Sequence, residues 1–204
     1  MLCLQSTLSQ PQQMIMADME DIFLPSPSDL LVNLDESMEL VTGLLQALPG
    51  MFTGNHQEAA LGPALAAGRE LLGSIGGRIS VFQCTRPNTG AGSLKNREEP
   101  ADKGTVKEFG ALQPASDFYK QTSVDASRAQ IGIDLFCFSG EYSDLATLSN
   151  MPRYSAGTTY YYPGFNKATY PAMTCVRSRA CLRARMCPSP LYSYMQTYTP
   201  LPRT

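Results

Sequence analysis

The stretch that decides the fold spans residues 129–165 and reads AQIGIDLFCFSGEYSDLATLSNMPRYSAGTTYYYPGF. Its first part predicts a strand, because Ile131, Ile133 and Leu135 recur at every second position. Phe136 and Phe138 make the opposite face of this strand apolar as well. Two apolar faces are typical of a central strand in a parallel sheet that helices cover on both sides.

The second part of the stretch predicts a short helix and another strand. Ser143 is a candidate cap for a helix around Leu148. The β-branched and aromatic residues 158–162 predict the strand, and Pro163 and Gly164 end it. Two strands joined through a helix predict a right-handed crossover within a parallel sheet.

The residues before this stretch predict the other elements of the domain. They are a strand over 14–19, a helix from Asn33 to Pro49-Gly50, a helix over 58–72, a buried strand over 78–84, a long loop over 85–113 and a helix over 114–128. Asn33 and Glu36 fit a capping box at the first helix. Gly68 is one of the small residues that permit close packing of the second helix on a sheet. This order predicts an α/β doubly wound fold.

Composition indicates one soluble domain. The chain has 204 residues and is 43% hydrophobic, which supports a single core. No apolar run approaches the ~18 residues of a membrane span, and the first ten residues lack the basic start of a signal peptide. We therefore expect a cytosolic chain. Its six cysteines do not resemble a small disulfide scaffold, and Cys84 and Cys137 are predicted to be core thiols.

Charge divides the chain into two parts. All 18 acidic residues lie between Asp18 and Asp144, whereas the part from Arg153 to the end contains seven basic residues and no acid. Proline also recurs near the end of the chain. We therefore predict a domain over residues 10–167 and a disordered, basic, Pro- and Cys-containing tail over residues 168–204, which is not packed against the domain.

Two groups of residues are candidate metal sites. Asp18, Glu20 and Asp21 follow a predicted strand, where open α/β sheets place ligands. One acidic loop supplies too few ligands for magnesium, so a water-facing loop is the favoured interpretation. Three cysteines of the tail are spaced more widely than zinc sites prefer, which favours an unstructured segment: Cys175, Cys181 and Cys187.

Two residues are candidates for catalysis in an alternative hydrolase function. Asp134 lies inside an apolar strand, where a carboxylate needs partners, and a structural role is favoured for it. His56 is the only histidine, and no nucleophile accompanies it in sequence. The residues alone therefore predict an α/β domain with no evident catalytic set.

Basic and aromatic residues supply the candidates for partner contacts. The tail arginines Arg177, Arg179, Arg183 and Arg185 could contact anionic lipid or RNA, but a solvated tail is favoured. Arg153, Tyr154 and Tyr160 are the candidate partner-binding residues of the domain. Most of the rings from Tyr160 to Tyr162 are expected to fill the core.

Several segments resemble one family. They are DLFCFSGEYSDLATL at 134–148, RYSAGTTYYYPGF at 153–165, QPQQMIMADMEDIFLPSPSDLLVNL at 10–34 and ALGPALAAGRELLGSIGGRISVFQ at 60–83. All four segments resemble the trunk domain of the COPII coat cargo adaptors, the Sec24 family. The resemblance implies a von Willebrand A-like fold, here an incomplete one. It also implies that the family's opening strand and zinc ribbon would lie upstream, so we expect no cofactor in this chain and a partly uncovered sheet.

The function that this resemblance implies is binding. Members of the family act in the COPII vesicle coat, in transport from the endoplasmic reticulum to the Golgi. They pair with a Sec23-type subunit, bind cargo sorting signals and SNARE proteins, and touch the cytosolic face of the endoplasmic reticulum membrane. No enzyme activity and no nucleic-acid partner are implied. A stand-alone von Willebrand A-like ligand-binding module and a truncated product without independent function remain as alternatives.

Overall fold

A computed structural model describes residues 2–3, 12–13, 18–22, 24, 30–51, 58–98, 104–105, 107–138 and 142–165. The elements in these ranges are β1 Leu2–Cys3, β2 Gln12–Gln13, α1 Met38–Met51, α2 Leu61–Leu72, β3 Gly77–Gln83, α3 Glu108–Ala111, α4 Phe118–Arg128, β4 Ile131–Cys137, α5 Leu145–Leu148, α6 Asn150–Tyr154 and β5 Thr159–Tyr161.

A three-stranded parallel sheet in the order β3-β4-β5 forms the centre of the described structure. β4 is the middle strand, and Leu135 is the partner of Val81 on one side and of Thr159 on the other. The α/β class, the parallel pairing and the central position of β4 are thus confirmed. β1 and β2 form a separate antiparallel pair, which the sequence did not predict. Most of the strand predicted over 14–19 lies outside the described residues.

The core lies on one face of this sheet, which we call the helix-covered face. Ile131, Ile133 and Leu135 of β4 point into it together with Val81 of β3. The side chains that cover them come from α2, α4, α5, α6 and the loop after β3, and they include Leu61, Leu65, Leu94, Tyr119, Ala126, Leu148 and Met151. Each of these apolar side chains is buried. Burial of this alternating set is what holds β4 in its register.

Small residues set how closely the helices approach the sheet. A Cβ atom at Gly68 of α2 would lie 2.9 Å from Cδ1 of Ile79 in β3, so the predicted close packing is confirmed. Gly157 lies before β5, and a Cβ atom there would meet the carbonyl oxygen of Ile133 at 1.8 Å. Ser155 joins α6 to β4 at the same place, because its hydroxyl accepts from the N–H of Ile133 at 3.0 Å and donates to the carbonyl of Met151 at 2.7 Å.

The other face of the sheet is not covered in the described structure. Phe82 of β3 is 53% exposed, and Phe136 of β4 is only half-buried. In the described part of the chain, helices cover β4 on one side only, and β3, predicted to be a buried strand, is buried on one face only. Cys84, predicted to be a core thiol, is exposed, whereas Cys137 is buried. Cys84 directly follows β3, two residues after the exposed Phe82, and so continues the uncovered side of the strand.

Several helix ends differ from the sequence prediction. α1 begins at Met38 and continues through Pro49 to Met51. Asn33 lies five residues before Met38 and does not cap it, because its side-chain oxygen accepts the N–H of Asp35 at 3.2 Å and its amide donates to the Glu36 carboxylate at 3.1 Å. Asp144, not Ser143, caps α5 by accepting the N–H of Thr147 at 3.1 Å. The short α6 that follows was not predicted, since Pro152 obscures its pattern.

Candidate interaction surface

Six aromatic side chains line the uncovered face of the sheet, which we call the aromatic face: Phe82, Phe136, Phe138, Tyr160, Tyr162 and Phe165. The parallel register places Phe82, Phe136 and Tyr160 side by side across β3, β4 and β5. Their rings stack, with centroid distances of 5.0 Å from Phe82 to Phe136 and 4.6 Å from Phe136 to Tyr160. Neighbouring strands lie about 4.8 Å apart, so the ladder itself sets this spacing.

A second row of rings continues beyond the ends of the strands. The N–H of Phe138 donates to the carbonyl of Gln83 at 2.9 Å, and that of Tyr162 to the carbonyl of Cys137 at 2.8 Å, so the ladder extends by one step. The rings of Phe138 and Tyr162 stack at 5.2 Å, and Phe165 meets Phe138 edge to face at 4.9 Å. Both rows together form a contiguous apolar patch, which is typical of a surface that another segment covers.

An ion pair lies at the other end of the aromatic face. Asp134 is buried, and its carboxylate accepts from Arg78 Nη1 at 2.6 Å and from the N–H of Thr158 at 2.8 Å. Both carboxylate oxygens are therefore occupied in joining the three strands. The structural role predicted for Asp134 is confirmed by these bonds.

A cationic cluster lies on the helical side of the domain. Tyr154, at the end of α6, is partly exposed, and its ring lies 5.5 Å from Nζ of Lys120 and 5.9 Å from the guanidinium carbon of Arg153. These distances fit cation–π contacts. Two of the three predicted partner-binding residues, Arg153 and Tyr154, thus lie together, whereas Tyr160 lies on the aromatic face on the opposite side of the sheet.

The rings predicted to fill the core do not do so. Tyr161 is exposed, and Tyr160 and Tyr162 are half-buried. Their strand forms one edge of the described sheet, and the aromatic face has no helix over it in the described part. That correction makes the aromatic face, which sequence reasoning missed as a unit, a second candidate surface beside the cationic cluster. The alternation of Phe82 and Phe136 with core residues along their strands was its only sequence signal.

The long loop after β3 is anchored to α5 through a buried carboxylate. Asp144 accepts from Arg97 Nη2 at 2.7 Å and from Arg97 Nε at 3.1 Å. The same guanidinium donates to the carbonyls of Gly110 and Ala111 at 3.0 and 3.4 Å. The described part of the loop predicted over 85–113 is therefore fixed to α5, and it contains α3.

The same loop has two further features, a hydrogen bond to Tyr119 and two exposed apolar side chains. The hydroxyl of Tyr119 donates to the carbonyl of Gly92 at 2.7 Å. Burial and the nearby Asp144 carboxylate raise the pKa of Tyr119, which keeps this donor protonated. On the outer side of the loop, Phe109 and Leu112 stay 72% and 67% exposed.

The acidic loop has the geometry of a turn. Oδ1 of Asp18 accepts the N–H groups of Glu20 and Asp21 at 2.9 and 3.2 Å, and these bonds lower the pKa of Asp18. All three residues are exposed. Among the described residues, no group of three or more His, Cys, Asp or Glu side chains is placed to hold a metal ion. His56 and the cysteines and arginines of the tail lie outside the described residues.

Comparison with known proteins identifies the family. A family model described as the Sec23/Sec24 trunk domain matches residues 2–174. The chain belongs to this family. It is 52% identical to the bovine protein transport protein Sec24A over 164 residues, which are 80% of this chain and 15% of that protein. The human Sec24B is 51% identical over 170 residues, 83% of this chain and 13% of that protein.

A solved structure agrees with the sequence relatives. The crystal structure of the human COPII-coat protein Sec24c superposes with a TM-score of 0.75 and 32% sequence identity, covering 86% of this chain and 24% of that chain. The chain thus spans about one seventh of the length of the curated Sec24 relatives above. The resemblance found in the sequence is confirmed. None of the helices in the described ranges is long and apolar enough to cross a membrane.

Proposed function

We propose that this chain acts in the COPII vesicle coat, in protein transport from the endoplasmic reticulum to the Golgi. The observation that carries the proposal is the identity of about 50% to the Sec24 relatives over 80% or more of this chain. The proposed site of action is the cytosolic face of the endoplasmic reticulum membrane and the coated vesicle, where the chain is a peripheral component.

The proposed mechanism is binding rather than catalysis. The carboxylates that could serve chemistry are engaged in structural contacts: Asp134 with Arg78, and Asp144 with Arg97. A carboxylate that is fixed in this way is not free to act as a general base. The proposal assigns no cofactor to the chain and no nucleic-acid partner.

A Sec23-type coat subunit is the proposed partner. We assign its contact to the cluster of Lys120, Arg153 and Tyr154, which lies on α4 and α6. Tyr and Arg are enriched at interface hot spots, and here the cation–π contacts hold both side chains in place before a partner arrives. Tyr160 is not part of this cluster, because it stacks on Phe136 across the sheet.

Binding of the full chain to a purified Sec23-type subunit, measured by biolayer interferometry, tests this proposal. We expect the double variant Arg153→Ala, Tyr154→Ala to raise the Kd about tenfold or more, the effect of removing a hot spot. Arg128→Ala is the matched control, because Arg128 is an exposed arginine at the end of α4 that is paired with Asp125. The control should bind like the unchanged chain.

Two results would contradict different parts of the proposal. If the unchanged chain does not bind the Sec23-type subunit, the coat function is wrong for this chain. If both variants bind like the unchanged chain, the partner is right and the assigned surface is wrong.

Selection of cargo sorting signals and SNARE proteins is the remaining part of the proposal, and it rests on the family alone. We assign no residue of this chain to it. Titration of a sorting-signal peptide into the chain, alone and together with the Sec23-type subunit, measures whether this segment of the relatives carries a cargo site.

A further inference from the structure

The two cations of the cluster formed by Lys120, Arg153 and Tyr154 have no acidic partner in the part of the chain that the structure describes. Lys120 on α4 and Arg153 on α6 are both exposed, and neither forms an ion pair with a described carboxylate. Other arginines of the domain do pair with an aspartate, and they are Arg69, Arg78, Arg97 and Arg128. The charge of the cluster is therefore uncompensated where other basic side chains are neutralised.

The sequence around the cluster supplies no acid that could neutralise it. Residues 149–158, which contain α6, include no Asp or Glu. On the other helix, Asp125 is already bound to two arginines. Asp117 lies three residues before Lys120, but the described structure holds no ion pair between them. A carboxylate that pairs with the cluster has to come from another molecule.

One aromatic ring holds both cations in place. The ring of Tyr154 lies 5.5 Å from Nζ of Lys120 and 5.9 Å from the guanidinium carbon of Arg153. Two positive charges at one ring repel each other, and an anion placed beside them replaces this repulsion by attraction to both. Because the cation–π contacts already restrict the two side chains, binding an anion costs them little further entropy. The geometry is therefore suited to an acidic ligand.

The rest of the domain is unfavourable for the same ligand. All 18 acidic residues of the chain precede Arg153, and only nine basic residues accompany them. An acidic segment is therefore repelled by most of this domain and attracted at the cluster. Opposed charges of this kind fix where a partner binds and in which orientation.

We propose that the cluster receives an acidic segment of the Sec23-type subunit, whose carboxylates pair with Lys120 and Arg153 beside the ring of Tyr154. This inference rests on the proposed function and adds to it the chemistry of the partner's contact and a role for the charge of Lys120. Because both cations are exposed, their charge acts mainly on the rate of association.

Biolayer interferometry of the full chain with a purified Sec23-type subunit tests the proposal through two substitutions at one position. Lys120→Met keeps an unbranched side chain against the ring but removes the charge, and Lys120→Glu reverses the charge. We expect the association rate to fall about threefold for Lys120→Met and about tenfold or more for Lys120→Glu.

Arg128→Met and Arg128→Glu are the matched controls. Arg128 is an exposed cation on the same helix, but it is paired with Asp125. Both controls should associate nearly as fast as the unchanged chain, and circular dichroism checks that every variant keeps its fold.

Salt separates charge from packing in the same experiment. Raising NaCl from about 0.1 M to about 1 M shortens the Debye length from about 10 Å to about 3 Å. The difference in association rate between the unchanged chain and Lys120→Glu should therefore narrow as salt is added. Arg153→Glu should reproduce the behaviour of Lys120→Glu.

Three results would overturn the inference while the coat function stands. If the unchanged chain binds and both Lys120 variants bind equally well, the cluster meets no acidic segment. Equal losses for Lys120→Met and Lys120→Glu, independent of salt, would show that the contact is packing on the ring. If Lys120→Glu instead lowers only co-sedimentation with vesicles of phosphatidylcholine and phosphatidylserine, the acidic ligand is a lipid surface. Absence of binding by the unchanged chain would contradict the coat function itself, and this inference with it.

Discussion

Both faces of β4 carry large apolar side chains, but the two faces differ in burial. Leu135 is completely buried, whereas its neighbour Phe136 is half-buried and stacks between two other rings. Both residue types are common in protein interiors. The difference lies in what packs over each face, since α2, α4 and α6 cover one side and no described element covers the other.

The comparison teaches how such a strand should be interpreted. An apolar face shows that something covers a strand, but not whether the cover is a helix of the same domain, another segment or a partner. On the helix-covered face, α2 and the connections between β3, β4 and β5 are the cover. No element of the described residues covers the aromatic face.

The largest expected effect comes from a substitution on the helix-covered face. Leu135→Ala should lower the free energy of unfolding by about 2–5 kcal/mol, because it leaves a cavity among fully buried side chains. Urea denaturation followed by circular dichroism measures it. A loss below about 0.5 kcal/mol would place Leu135 at a surface.

The next effect concerns the anchor that holds the loop over α5. Asp144→Ala should lower the free energy of unfolding by about 2–4 kcal/mol, because it leaves the Arg97 guanidinium without its carboxylate and removes the cap of α5. Urea denaturation again gives the value.

Asp125→Ala is the control for the anchor. Asp125 pairs with Arg69 and Arg128 on an exposed surface, so its loss should cost less than about 1 kcal/mol. Equal losses for the two variants would show that the Asp144 pair is no more than a surface contact.

Much of the fold could be predicted from local patterns. The alternation in β4, the small residues of α2 and the β-branched and aromatic run of β5 each arise from backbone periodicity, which one sequence displays. The structural role of Asp134 followed from the cost of burying a carboxylate without partners. The family resemblance rested on the same stretches.

The features that could not be predicted depend on contacts between residues that lie far apart in the sequence. The cap of α5 is shared with Arg97, which lies 47 residues away, and no local pattern distinguishes Asp144 from Ser143. The aromatic face forms only when three strands align in register. The separation of Tyr160 from Arg153 and Tyr154 depends on which face of the sheet α6 covers.

Two substitutions with small expected effects on stability test the contrast between the two faces most directly. Val81 and Phe82 are adjacent in β3; Val81 is 7% exposed on the helix-covered face, and Phe82 is 53% exposed on the aromatic face. Phe→Ala in a core costs about 3–5 kcal/mol, far more than the loss of the two methyl groups of a valine. Here we expect the reverse order, measured by urea denaturation of the full chain. Val81→Ala should cost about 1–3 kcal/mol and Phe82→Ala about 1 kcal/mol or less. A loss of about 3–5 kcal/mol for Phe82→Ala would show that the aromatic face is core, and it would contradict this account of the molecule.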